Sequence, residues 1–157
     1  METIEQSIEV ESPIATVYNQ WTQFEEFPKF MEGVESVQQL DDKRLRWVAS
    51  IAGKRHEWDA EIIEQVPDKK IAWRSISGKK NDGAVFFENG ADGKTHVRAV
   101  IAYEPEGMIE KMGDAIGLAS ARVKGDLNRF KEFLESRGQE TGAWRGEIRG
   151  GSGPAGD

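Results

Sequence analysis

The longest periodic stretch in the chain is Met108–Ser136, MIEKMGDAIGLASARVKGDLNRFKEFLES. Its apolar residues are Ile109, Met112, Ile116, Ala119, Val123, Leu127, Phe130 and Leu134. Their spacings of three and four lay one stripe along an α-helix. The opposite face is charged, with Glu110, Lys111, Asp114, Lys124, Asp126, Arg129, Lys131, Glu132 and Glu135. Pro105 and Gly107 punctuate its start, and Gly138 is a suitable C-terminal stop. Roughly 29 residues at 1.5 Å rise make a rod of about 43 Å. No other segment reads as a helix half that long. A helix with one long apolar face needs a surface to lie on, and the strand-like segments before it must supply that surface.

Those segments alternate in the way half-buried strands do. Thr3–Val10 carries Ile4, Ile8 and Val10 on one face, with Gln6 among them. Ser12-Pro13 then predicts a helix start, with Ser as N-cap and Pro at the first helical position; Ile14, Val17, Tyr18 and Trp21 follow at helical spacing. Thr22–Phe30 predicts a second helical turn ending before Pro28. Six further strands follow: Gly33–Leu40, Arg44–Ile51, Arg55–Val66, Lys70–Ser77, Ala84–Glu88 and Thr95–Glu104. Short turns between successive strands predict an antiparallel meander. Seven twisted strands curl rather than lie flat. The expected fold is therefore α+β: a curved seven-stranded antiparallel sheet around the long C-terminal helix, with two short helices after strand 1. One domain, residues 1–138, accounts for it. Residues 139–157, with six Gly, read as a flexible tail.

Composition excludes several functions. The formal charge is −7, which disfavours binding to nucleic acid or anionic lipid surfaces. No Cys occurs, so thiolate metal sites and cysteine nucleophiles are ruled out. Two His, at 56 and 96, give no metal spacing, and no nucleotide-binding glycine motif is present. No cofactor is expected. The opening METIEQSIEV has neither a basic n-region nor an apolar h-region, and no apolar run approaches the about 18–20 residues of a membrane span. A cytoplasmic protein without integral membrane association is the expectation.

The alternation points to one site. Trp47, Trp58 and Trp73 fall on the core-facing side of three consecutive strands, with Phe87 and Tyr103 on later ones. Met112 and Ile116 on the helix stripe face them, and Gly117 thins the helix nearby. A long helix cannot follow a curved sheet closely, so an apolar cavity between them is expected, the usual setting for small-molecule binding. Its inward polar groups are His56, Ser75 and the Tyr103 hydroxyl. No inward pair of carboxylates is visible, so paired acid–base chemistry is not expected, and no catalytic residue is assigned.

Three stretches carry a family resemblance: VESPIATVYNQWTQFEEFPKFMEGVESV (Val10–Val37), GKRHEWDAEIIEQVPDKKIAWRSISG (Gly53–Gly78) and GDLNRFKEFLESRG (Gly125–Gly138). With the element order, they resemble the helix-grip fold of the START and Bet v 1-like (SRPBCC) superfamily. More narrowly they are similar to its polyketide cyclase/dehydrase and coenzyme Q-binding branch. The resemblance implies binding of lipids, isoprenoid quinones or polyketides between helix and sheet. It leaves three readings: a carrier of an apolar molecule, a cyclase or dehydratase acting on one, and a stress-related protein-interaction module. In the third, the tail, with Trp144 between Ala143 and Arg145 and flanked by Gly, would contact a protein partner or fold back on its own domain.

Overall fold

The computed structural model describes residues 2–51, 53–78, 81–103 and 114–148. Strands β1 (Glu2–Val10), β2 (Val34–Gln39), β3 (Arg44–Ile51), β4 (Lys54–Val66), β5 (Lys70–Gly78), β6 (Asp82–Asn89) and β7 (Thr95–Tyr103) form one sheet. Their order is β1-β7-β6-β5-β4-β3-β2, and every neighbouring pair is antiparallel. The meander is thus β2 to β7 in sequence, with β1 closing on β7. The sheet curls into a half-barrel around α2 (Asp114–Arg137), a helix-grip arrangement. The first positions of the expected helix, 108–113, lie outside the described residues. No helix among the described residues is long and apolar enough to cross a membrane.

Helix α1 (Ile14–Trp21) begins one residue later than the Ser12-Pro13 signal predicts. Pro13 is the cap residue, in an extended conformation and with no side-chain capping bond. The carbonyl of Ser12 instead accepts a 2.7 Å hydrogen bond from the Thr95 hydroxyl, which ties the turn to β7. The second short element is a 3-10 helix, Phe24–Lys29, and it runs through Pro28 rather than stopping before it. Bonds from Glu26 N–H to Gln23 and from Phe30 N–H to Phe27 flank the proline, so no turn bond between them needs the donor that proline lacks.

The core follows from these placements. Leu127, Phe130 and Leu134 of α2 are buried with Leu45, Ile62, Ile71, Val85, Phe87 and Val97 of the sheet. Val17, Tyr18 and Trp21 of α1 and Phe24, Phe27 and Phe30 of the 3-10 segment complete the cluster. A bulge in β4 between Ile62 and Glu64 reverses the strand's parity, because a bulge adds one residue to one strand only. Gln65 consequently turns inward and is buried, which simple alternation does not foresee.

The expectation of a flexible tail from Gln139 does not hold for residues 139–148, which form a strap across α1 and the end of β4. The Gln20 side chain donates to the Thr141 hydroxyl at 3.1 Å and accepts from the Thr141 N–H at 2.9 Å. The Thr22 hydroxyl accepts from the Trp144 N–H. Arg145 donates to Asn19 and pairs with Asp68 at 2.8 Å. Ile148 exchanges both backbone hydrogen bonds with Gln65 and is itself buried. The strap docks there because β3 has paired with β4 only as far as Glu61, leaving the β4 edge beyond it in need of a partner. Polar anchors and one buried aliphatic side chain offset the ordering entropy that a Gly-rich segment would otherwise leave unmatched.

Two substitutions test this arrangement. Leu127→Asp puts a carboxylate into the α2–sheet interface and is expected to cost several kcal/mol, seen as a large fall in melting temperature. Ile148→Asp removes the strap's buried anchor and should cost about 2–4 kcal/mol; a melting temperature within a degree of wild type would show that the strap adds no stability.

Candidate functional site: the open end of the half-barrel

The concave face of the sheet has two unlike ends. At one, Leu45, Ile62, Ile71, Val85, Phe87 and Val97 are sealed beneath the C-terminal half of α2. The other is defined by the last residues of β3, β5 and β7 and the first of β1, β4 and β6, with the start of α2 beside them. There the same inward register positions, Gln6, Trp47, His56, Trp73, Ser75 and Ile101, are only partly buried. On α2, Ala119, Ser120 and Val123 are half-buried, while Gly117 and Leu118 are exposed. A face that points inward yet is reached by solvent is the wall of an opening.

Two indoles dominate that wall. Trp47 and Trp58 are directly opposed on β3 and β4, and their rings stack with centroids 5.6 Å apart and planes 7° from parallel. Trp58 is buried with Ala49 and Ala60 in a cluster separate from the main core, and Trp47 touches both. Trp73 sits opposite Gly83; a Cβ there would come within 2.9 Å of the indole and 2.7 Å of the Val100 carbonyl, so glycine is what lets the ring lie against β6. The indole N–H of Trp73 donates to Asn81 Oδ1 at 3.1 Å. Phe87 lies deeper, edge-on to Tyr18 at 5.3 Å and Trp21 at 6.4 Å, within the sealed core.

The polar groups are sparse. Ser75 is engaged: its hydroxyl accepts from the Asn81 N–H at 3.1 Å, and its N–H donates to Asp82 Oδ1 at 2.9 Å. These bonds tie Asn81 and the start of β6 to β5. His56 pairs in register with Ala49 and is half-buried. Gln6 Nε2 donates to the Ser120 hydroxyl at 2.7 Å, joining β1 to α2 across the opening. Tyr103 stands opposite Glu2 in the β7–β1 ladder; its side chain and that of Ile116, and all of Met112, lie outside the described residues. Gly117 bounds open space: a Cβ there meets nothing within 4 Å. Among the described residues no cluster of His, Asp or Glu could hold a metal ion. A separate depression of about 440 Å³ lies on the outer surface, lined by Asp41, Asp42, Lys43, Arg44 and Glu61. Its walls are charged and widely open. Backbone N–H donation from Lys43 and then Arg44 holds the Asp41 carboxyl below its ordinary pKa, the signature of a carboxylate that shapes a turn.

Residues 10–132 match the family model described as polyketide cyclase/dehydrase and lipid transport. The chain belongs to this family. It is 48% identical over 149 residues to an uncharacterized 17.2 kDa protein in the melC2-rnhH intergenic region of Streptomyces lincolnensis, covering 94% of this chain and 99% of that one. The structure of DR_A0006 from Deinococcus radiodurans superposes with a TM-score of 0.68 at 27% identity, covering 87% of this chain and 99% of the other. The Zhui aromatase/cyclase from Streptomyces sp. R1128 shares the fold at 15% identity, with a TM-score of 0.68 and coverage of 91% and 99%.

In this family member the polar contacts at the closed end have no signal in the alternation of the strands. Asn19, Gln20, Thr22 and Gln65 are buried because the strap covers them. Trp144 and Ile148, two large apolar residues in a Gly-rich segment, were the available signal. Burial raises the pKa of the Tyr18 hydroxyl beneath the strap, with Gln65 and then Arg145 acting against it, so the phenol is neutral. Burial likewise raises the pKa of Asp126 on α2, opposed by the Glu32 N–H and by Arg129. Because Gly117 faces open space, Gly117→Ala should stabilise α2 by about 0.5–1 kcal/mol, measured by chemical denaturation; a loss of stability would mean that the position is packed.

Proposed function

We propose that the chain binds an apolar small molecule, a lipid, isoprenoid quinone or polyketide-like compound, in the open end of the half-barrel. The observation that carries this reading is the gradient along the concave face. Inward positions are sealed at one end, and several are partly exposed at the other, where Trp47 offers an aromatic face stacked on the buried Trp58. The polar contacts there, Gln6 with Ser120 and Ser75 with Asn81, pair protein groups with one another, which leaves apolar surface as the main attraction for a ligand. The family description, which includes lipid transport, supports the same reading. Trp144 of the strap packs on its own domain, which weakens the interaction-module alternative.

Cyclase or dehydratase activity is the second reading, favoured by the other half of the family description. In it the indole wall shapes a bound chain, and His56, half-buried at the opening, is the polar side chain placed to contact it.

Anilinonaphthalene sulfonate titrated into the protein should bind saturably, with energy transfer from the indoles. Trp47→Ala should weaken binding about tenfold, the value of an aromatic contact at the upper end of its range. Native mass spectrometry of protein from its own host should show a co-purified apolar mass. Absence of saturable binding would sink the reading. Turnover of a bound polyketide that His56→Ala abolishes without weakening binding would favour the cyclase.

A further inference from the structure

The seam between α2 and the start of β2 is held by three side chains at i, i+4 and i+7 on the helix. Arg122 donates to the Glu32 carbonyl at 3.2 Å, Asp126 accepts from the Glu32 N–H at 3.0 Å, and Arg129 Nε donates to the Phe30 carbonyl at 2.9 Å. Arg129 also pairs with Asp126. All three therefore hold the backbone of one segment at Phe30 and Glu32, and Arg129 also pairs with the Glu32 carboxylate at 3.8 Å. The segment turns there on Gly33, at φ +85°, where a Cβ would come within 2.8 Å of both the Arg122 guanidinium and the Ser50 carbonyl. Ser50 N–H donates to the Gly33 carbonyl at 2.7 Å, so the grip is passed on to the end of β3.

The position of this grip gives it a consequence. Below it, Phe30 and Phe130 seal the seam at a ring separation of 5.3 Å. Above it, α2 runs to Gly117, which meets nothing within 4 Å, and β3 presents the partly buried Trp47. The three charged residues stand at the boundary between the closed and open parts of one seam. The hydrogen bonds of Arg122 and Asp126 to Glu32 are exposed to water, so they break and re-form at modest cost.

We propose that Arg122, Asp126 and Arg129 form a clamp on the Phe30–Gly33 segment that sets the width of the opening, and with it the rate at which an apolar ligand enters and leaves. This rests on the binding reading above. A clamp acts on the barrier and not on the bound state, so it changes association and dissociation together and leaves affinity in place.

The test has a breaking and a locking arm, both on the full chain. Arg122→Ala should speed association and release of anilinonaphthalene sulfonate alike, by about tenfold for the loss of one charge-assisted hydrogen bond, with Kd unchanged within about twofold. Amide hydrogen exchange at Glu32 and Val34, measured without ligand, should rise by a similar factor. For the locking arm, Glu32→Cys combined with Asp126→Cys introduces the only thiols in a chain that has no Cys, at positions one carboxylate already spans. Oxidation should slow probe association, and reduction should restore it. Faster amide exchange with unchanged probe rates, or an oxidised pair that binds as fast as the reduced one, overturns the clamp while leaving the cavity intact. A wild type that binds no probe overturns the cavity and the clamp with it.

Discussion

The contact on which the rest of this structure depends is the packing of Phe130 against Trp21 and Phe30. The rings of Phe130 and Trp21 meet edge-on at 4.8 Å, and Phe30 joins them at 5.3 Å. Three elements that share no backbone hydrogen-bond ladder, α2, α1 and the 3-10 segment, are fixed relative to one another by that junction. Phe87 connects it to β6 and Phe27 connects it to Trp47 on β3. Large rings at one end of a helix leave the other end without an equivalent grip. Among the described side chains of α2 near its start, Ala119, Ser120 and Val123 are half-buried and are smaller than the aromatics below.

That asymmetry is what the binding proposal rests on. A sheet curled uniformly around a uniformly packed helix would be solid. Here the same alternating register that buries Leu45 exposes Trp47 in part, and the same that buries Ile71 exposes Trp73 in part. The outer face contributes little to this. Its ion pairs, such as Arg46 with Glu57 and Asp59 and Arg74 with Glu61, are exposed and add at most a fraction of about 1 kcal/mol each. They lie across the central strands β3, β4 and β5.

The closed end carries a different cost. Burying Asn19, Gln20, Thr22 and Gln65 is unfavourable unless each finds partners. The strap supplies them for Asn19, Gln20 and Thr22 through Thr141, Trp144 and Arg145, and for Gln65 it supplies backbone partners only, through Ile148. Glu140 joins the same set, its carboxyl held below its ordinary pKa by the hydrogen bond from Asn19. Residues that look surplus at the end of the domain therefore supply hydrogen-bond partners to the polar face of α1.

The sequence by itself determined the order of elements, the antiparallel meander, the long helix and the inward placement of Trp47, Trp58 and Trp73, because each rests on a local period of two or between three and four. It also carried the family, whose pattern is one of structural residues. What only the tertiary structure decided lies where parity or partners change over distance. The β4 bulge turned Gln65 inward, the end of β3 opened an edge for Ile148, and Ser75 was drawn into bonds with Asn81 and Asp82 across a turn. Likewise, nothing local marks Arg122, Asp126 and Arg129 as a clamp on residues about 90 positions earlier. Periodicity reports which side of an element is apolar; it holds no information about which backbone will later lie beside its polar side, and that is where the shape of the opening is set.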